Sequence, residues 1–389
     1  MEGPPPMTTD PTAPGSAPDL LYSEEEDALR AAVRALLADR ADPATVLAGL
    51  ESETPYDTGL WRALATDIGA AGLLVPEALG GQGASAREAA VVLEELGRAV
   101  TPVPYLTSAV LAVTALLGCD PAAGEPAGLL AALAAGRTVG VLAVPLPTAP
   151  DGAAFEGVRA AADGTLTGRV TSVADAAAAG LLLVPAQGPG GPALYAVEAA
   201  SDGVRTDTVT PLDLTRPLAH ITFDGAPGRL LATGDRARTA VAHALLTGAG
   251  LLASEQLGVA EWCLAETVRH TAQRTQFGRP VGSFQALKHR MAALWLEVAS
   301  ARAAARGAAG ALATGGPDAP VAVAVAQAYC APVAVHAAEE CVQLHGGIGM
   351  TWEHPAHLFL KRAKTDEIAL GTPGRHREAL AGLVDLAAP

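Results

Sequence analysis

Between Thr138 and about residue 230 the chain stops reading as helix. The runs "TVGVLAVPL", "LLLVPA", "ALYAVE", "VRTDTV" and "AHITFD" are short and β-rich, with Gly, Pro and Asp turns between them. That spacing predicts a compact β-domain. Helical patterns flank it on both sides. "SEEEDALRAAVRALLADR" opens with a serine N-cap and an acidic first turn, then places Leu29, Val33, Leu36 and Leu37 at helical spacing. "SFQALKHRMAALWLEVAS" aligns Phe284, Leu287, Met291, Leu294 and Val298 on one face. The order helical, β, helical predicts a mainly α protein with a central β-domain. Its expected units are 19–137, 138–230 and 231–389.

Composition narrows the function. A net charge of −15 argues against nucleic-acid binding, which needs a basic face. Cys119, Cys263, Cys330 and Cys341 form no CxxC and read as small buried residues of a reducing compartment. His354 and His357 form an HxxH with no glutamate between them and no evident third ligand, so no metal site is expected. Residues 1–18, "MEGPPPMTTDPTAPGSAP", lack a basic start and an apolar core, and read as a disordered tail rather than a signal peptide. No run of about 20 residues is apolar without Gly, Pro or charge, so no membrane span is expected and the cytoplasm is the default location.

Four stretches, in order, carry a resemblance: "LLVPEALGGQGAS" with "VVLEELGRA", "LDLTRPLAHITFDGAP", "RTQFGRPVGSFQALKHRMA", and "QLHGGIGMTWEHPAHLFLKRAK" followed by a Gly-Thr turn. Together they resemble the acyl-CoA dehydrogenase family over nearly the whole chain past residue 20. The resemblance implies an N-terminal helical domain, a middle β-barrel-like domain and a C-terminal four-helix bundle. It also implies FAD, an acyl-thioester substrate on CoA or a carrier protein, and an electron-transfer flavoprotein or similar acceptor. The implied assembly is a dimer or tetramer, with a paralogue as one possible partner. By motif, Arg274, Phe277, Phe284 and Gln285 are expected at one end of the cofactor. Gln343, Gly346 and Gly347 are expected to reach its pyrophosphate or adenine side from the neighbouring subunit, and Thr372 to lie close to the flavin. The residue types suit those tasks. A guanidinium makes charge-assisted hydrogen bonds to phosphate, and a Gly-Gly turn brings backbone N–H groups to an anion.

The pattern departs from the family at the base. Dehydrogenation needs a carboxylate to take the α-proton, and the family usually places a glutamate directly before the Gly-Thr turn. Here that residue is Leu370. The family's alternative position, early in the first long C-terminal helix, falls at Gly248. Glu255 is the nearest carboxylate on that helix, about 10 Å further along unless the helix breaks near Gly248-Ala249-Gly250. In an apolar run it is either a functional acid or the partner of a structural arginine, and it is the candidate catalytic base. Glu367 is the next candidate. The resemblance leaves the backbone N–H of Leu370 to polarise a thioester oxygen. The family's flavin-facing β-domain motifs are replaced by "VPLPTAP" and "GRVTSVAD", where Thr171 or Ser172 offers a hydroxyl.

Three readings follow. The first is an FAD-dependent acyl-thioester dehydrogenase with a displaced base. The second is a non-catalytic FAD-binding subunit whose paralogue supplies the carboxylate. The third is a flavin oxidase or monooxygenase on the same fold.

Overall fold

The computed structural model describes residues 20–50, 56–120, 124–152 and 154–386. The expected tail at 1–18 lies outside these. Helix α1 (Glu24–Arg40) starts at Ser23, whose hydroxyl and the Glu26 carboxylate form a capping box, and four acidic residues occupy its first turn. Val33 and Leu37 are its buried face. Short helices α2 (Pro43–Gly49) and α3 (Thr58–Arg62) lead to α4 (Ala86–Ala99), α5 (Val113–Leu117) and α6 (Glu125–Ala134). Arg30 and Arg34 of α1 bridge to the buried carboxylates of Glu94 and Glu95 on α4.

The central region is one sheet of β1 (Gly140–Leu142), β2 (Val158–Ala160), β3 (Thr165–Ala174), β4 (Leu181–Gly188), β5 (Gly191–Glu198), β6 (Val204–Val209), β7 (Leu218–Pro227) and β8 (Arg229–Thr233). Its order is β6-β7-β3-β2-β4-β5-β8, with β1 parallel on β4. Pairing between β3 and β7 slips between Val170 and Val173, and this bulge holds Ser172 at a φ of 54°.

Five helices follow: α7 (Gly234–Gln273), α8 (Gln285–Thr314), α9 (Ala319–His345), α10 (Ala356–Ile368) and α11 (Pro373–Leu383). Helix α7 is continuous through Gly248-Ala249-Gly250 and buried along most of its first 30 residues. It meets α4 at two glycines. A Cβ on Gly97 would lie 2.1 Å from the Glu255 carbonyl oxygen, and one on Gly258 would lie 2.0 Å from that of Glu94. Only glycine permits so close a backbone approach. Residues Ala319–Met350 are long and apolar enough to cross a membrane by composition, but 61% of the most apolar window is buried inside the protein. That burial is what a core helix of the bundle requires.

Candidate functional site

Helix α10 ends in a strained turn. Leu370, 1% exposed, has a φ of 54° and Gly371 a φ of 105°. Thr372 caps α11, its hydroxyl accepting from the Arg375 N–H. The turn is tied down on both sides. The Leu370 N–H donates to the Leu146 carbonyl at 2.8 Å, and the Leu370 carbonyl accepts from His376 Nε2 at 3.0 Å. The N–H expected to polarise a thioester oxygen is thus consumed by the β1–β2 connection. This corrects the expectation: a hydrogen bond inside the fold takes the donor.

The two positions that the resemblance marks for a carboxylate face each other. A Cβ on Gly248 would lie 3.1 Å from Leu370 Cδ1 and 2.4 Å from Leu111 Cδ2. The three heavy atoms nearest this point are all side-chain carbons of Leu111 and Leu370, which neither accept nor donate a proton.

Glu255 is not free to serve instead. It is 2% exposed, and its Oε1 accepts from Arg216 Nη2 at 2.5 Å and from Arg362 Nη1. Arg362 also binds Asp213 Oδ2 at 2.6 Å and the Thr215 carbonyl at 2.9 Å. Burial pushes the Glu255 carboxyl upward, but the Arg216 and Arg362 charges outweigh it and hold the group below its usual range. A general base for this chemistry needs the opposite shift. With α7 unbroken, Glu255 also stays two turns from Gly248. The candidate base is therefore corrected to an ion-pair acceptor. Beside it, Asp366 is 0% exposed; its Oδ1 is ion-paired to Arg216 at 3.5 Å but neither oxygen accepts a hydrogen bond among the described residues, and burial followed by the Glu255 charge raises its pKa well above normal. Glu367 is half-buried and paired with Lys364 at 3.8 Å.

A cavity of about 580 Å³ opens beside the strained turn, between α7, α9, α11 and the 149–151 loop. Leu246, His243, Val323, Ala149 and His376 are among its lining residues. A Cβ on Gly371 would touch His376 and Ala149, two of the residues that line it, so the turn sits behind that wall. Burial lowers the pKa of both His243 and His376. Since His376 Nε2–H donates to Leu370, its Nδ1 carries the lone pair. The cavity is mainly apolar, and a chain of methylenes or a ring system fits such walls.

The second set of sequence-predicted residues meets at the far end of the bundle. Arg274 ends α7, followed by a hairpin of β9 (Thr275–Gln276) and β10 (Arg279–Pro280) turned at Phe277 and Gly278. Phe277 is 91% exposed and packs edge-on to Phe284, over which the Arg279 guanidinium stacks at 3.9 Å. Gln285 and Gln343 are exposed. The ends of α7 and α9 touch, with the His270 and His345 rings 4.2 Å apart. Gly346, at a φ of 64°, and Gly347 follow directly and have open space where a Cβ would point. Arg274 and the Gly-Gly turn therefore share one edge of one chain. Arg274 is exposed and has no ion pair among the described residues. A free guanidinium beside an open glycine turn fits a pyrophosphate, so this edge suits FAD. Among the described residues, Thr372 bonds to Arg375 and has no bond or ring contact to this edge. Ser172 spends its N–H on His220 Nδ1 at 3.0 Å, while Thr171 is exposed. Sequence reasoning missed Arg279, His376 and Arg216. The last lies in "DLTRP", where an arginine in a β-rich run was the available signal.

Two family models match: the acyl-CoA dehydrogenase N-terminal domain over residues 23–119 and the C-terminal domain over 238–383. Acyl-CoA dehydrogenase IpdE2 of Mycolicibacterium smegmatis is 36% identical over 354 residues, covering 90% of this chain and 96% of that protein. Among solved structures, a Tcur3481–Tcur3483 steroid acyl-CoA dehydrogenase variant is 31% identical with a TM-score of 0.82, covering 93% of this chain and 98% of that one. The ChsE4–ChsE5 complex of Mycobacterium tuberculosis is 29% identical with a TM-score of 0.84, covering 95% and 100%. These matches agree with the helical, β, helical fold and with its site motifs, and the chain belongs to the acyl-CoA dehydrogenase family of flavoprotein oxidoreductases.

Proposed function

We propose that this chain is the base-less subunit of a heteromeric acyl-CoA dehydrogenase, whose paralogous partner carries the catalytic carboxylate. The observation that carries the reading is the hydrocarbon contact of Leu370, Gly248 and Leu111 at both family base positions. FAD, when bound, accepts the β-hydride of the acyl thioester. This chain's part is to hold it: Arg274 neutralises phosphate charge, Gly346 and Gly347 let the backbone approach, and Phe277 and Phe284 shield the edge. Likeness to ChsE4–ChsE5 and Tcur3481–Tcur3483, each a pair of chains, supports the mixed assembly. The steroid acyl-CoA dehydrogenase likeness supports a bulky alicyclic acyl thioester, with electrons leaving to an electron-transfer flavoprotein or similar acceptor. The test is co-purification with a family member that has glutamate before its own Gly-Thr turn. The mixed assembly should dehydrogenate acyl-CoA, and Glu→Gln in the partner should abolish turnover. Equal turnover by this chain alone would overturn the reading.

A second reading rests on His376. Its buried neutral imidazole adjoins the Leu370 carbonyl and lines the cavity, which is where a base replacing the carboxylate would stand. In that case this chain alone would dehydrogenate acyl-CoA, and His376→Gln would lower the rate about 10²–10⁴-fold.

A further inference from the structure

Beneath the cofactor edge lies a cluster that flavin chemistry does not use. Glu266 of α7, His345 at the end of α9 and His354 in the loop before α10 bring one ligand atom each to within 4.8 Å of one another. Glu266 Oε1 is 3.6 Å from His345 Nε2 and 3.7 Å from His354 Nε2. The His345 side chain is 0% exposed, and its Nε2 has no hydrogen-bond partner. A buried polar atom with no partner is costly and asks for an explanation. Its tautomer is fixed from the other side. Nδ1 lies 2.6 Å from the Cys341 carbonyl, which can only accept, so Nδ1 carries a proton; in the neutral ring Nε2 then holds the lone pair, and in the charged ring it faces Glu266 as an ion pair that a metal ion would replace. This carbonyl-oriented imidazole is the arrangement that metal-binding histidines use.

We infer that Glu266, His345 and His354 form a site for a divalent transition-metal ion of the zinc class. Nitrogen, nitrogen and carboxylate oxygen is a zinc donor set. Ligands about 2.0–2.1 Å from one tetrahedral ion stand roughly 3.4 Å apart, so two of the three separations need to close by only tenths of an ångström. Two further contacts change on binding. Glu266 is held by Arg269 through both oxygens, Nε to Oε2 at 2.7 Å and Nη2 to Oε1; the ion would take Oε1 from Nη2 and leave the Nε–Oε2 bond in place. His354 Nδ1 accepts weakly from the Ala356 N–H at 3.2 Å. The ring must release that bond and move its proton from Nε2 to Nδ1 to ligate. The fourth position is left to solvent, reached past Glu266 and His354, which are 14% and 13% exposed. The ion would pin the ends of α7 and α9 and the 351–355 loop together, directly below Arg274 and Gly346.

The test uses the full chain in its purified assembly, treated with chelator and then dialysed against buffered Zn²⁺, with metal read by mass spectrometry. Co²⁺ absorption spectra report the geometry. One ion per chain is expected, with a tetrahedral Co²⁺ spectrum. His354→Ala, a partly exposed change, and Glu266→Gln should each weaken uptake at least tenfold with the fold intact by circular dichroism. His357→Ala should leave uptake unchanged, because that ring stacks on Trp352 and is not one of the three ligands. No saturable uptake, or uptake unaffected by His354→Ala and Glu266→Gln, overturns the assignment. So does uptake lost equally in His357→Ala. None of these readouts depends on flavin content or turnover.

Discussion

Leu370 Cδ1 stands 3.1 Å from the point a Cβ on Gly248 would occupy. The two places that the resemblance marks for a proton acceptor are adjacent in space, and here both are apolar. Restoring the acid would put it in that dry contact. Leu370→Glu should therefore carry a carboxyl with a raised pKa, because burial disfavours the charged form. A raised folded pKa means stability retained below the unfolded value of about 4.3 and lost as pH rises through the folded one. Urea denaturation at pH 5 and pH 8 should show a larger deficit at pH 8, on the order of 1–3 kcal/mol.

Glu255 and Asp366 are neighbours with opposite shifts, Glu255 lowered and Asp366 raised. Glu255→Gln leaves Arg216 and Arg362 short of a buried partner and should cost about 3–5 kcal/mol near neutral pH. Its contribution is present above the ordinary carboxyl range and lost as pH falls through the depressed value. Asp366 works in the reverse sense: its raised pKa favours the fold at acid pH and penalises it as pH rises. Asp366→Asn should be close to neutral at pH 5 and stabilising at pH 9. Chemical denaturation across pH checks both signs.

Gly97→Ala and Gly258→Ala test the α4–α7 crossing. Alanine normally improves an exposed helix by up to about 1 kcal/mol over glycine. Here each new methyl would meet a backbone carbonyl at about 2 Å, and backbone cannot turn aside. Each should destabilise by about 1–3 kcal/mol or more, read as a fall in Tm.

Much of this was legible in the sequence, and the limits have physical causes. Periodicity marks which segments are helix or strand, because the pattern of burial is local. The apolar run around Glu255 marked a carboxylate that was either a functional acid or the partner of a structural arginine. Its partners lie 39 and 107 residues away, so only the folded chain names Arg216 and Arg362. Leu370 was readable as a missing base. That its N–H is also taken, by Leu146 more than 200 residues earlier, was not. Motif assigned Gly346 to the cofactor of a neighbouring subunit; that the helix ends carrying Arg274 and Gly346 meet within one chain, at His270 and His345, is visible only in the fold.

The exposed apolar residues of the C-terminal helices make an assembly prediction. Phe277, Trp295, Leu296 and Met350 are 91%, 61%, 62% and 78% exposed, an apolar display on the C-terminal helices and turns that a partner subunit would cover. Trp295→Glu should shift light scattering toward monomer. Arg274→Ala should keep the assembly but weaken FAD by about 1.5–3 kcal/mol, the worth of a charged hydrogen bond, in a flavin fluorescence titration.

The central claim is that this chain supplies no base, and anaerobic flavin bleaching measures it directly. The purified chain is loaded with FAD without a paralogue and mixed with straight-chain and alicyclic acyl-CoAs. The account predicts no bleaching for the wild type and for Glu255→Gln, with bleaching gained only when the carboxylate-bearing partner is added. Rapid bleaching by the wild-type chain alone would contradict it, and its loss in His376→Gln would then identify the base.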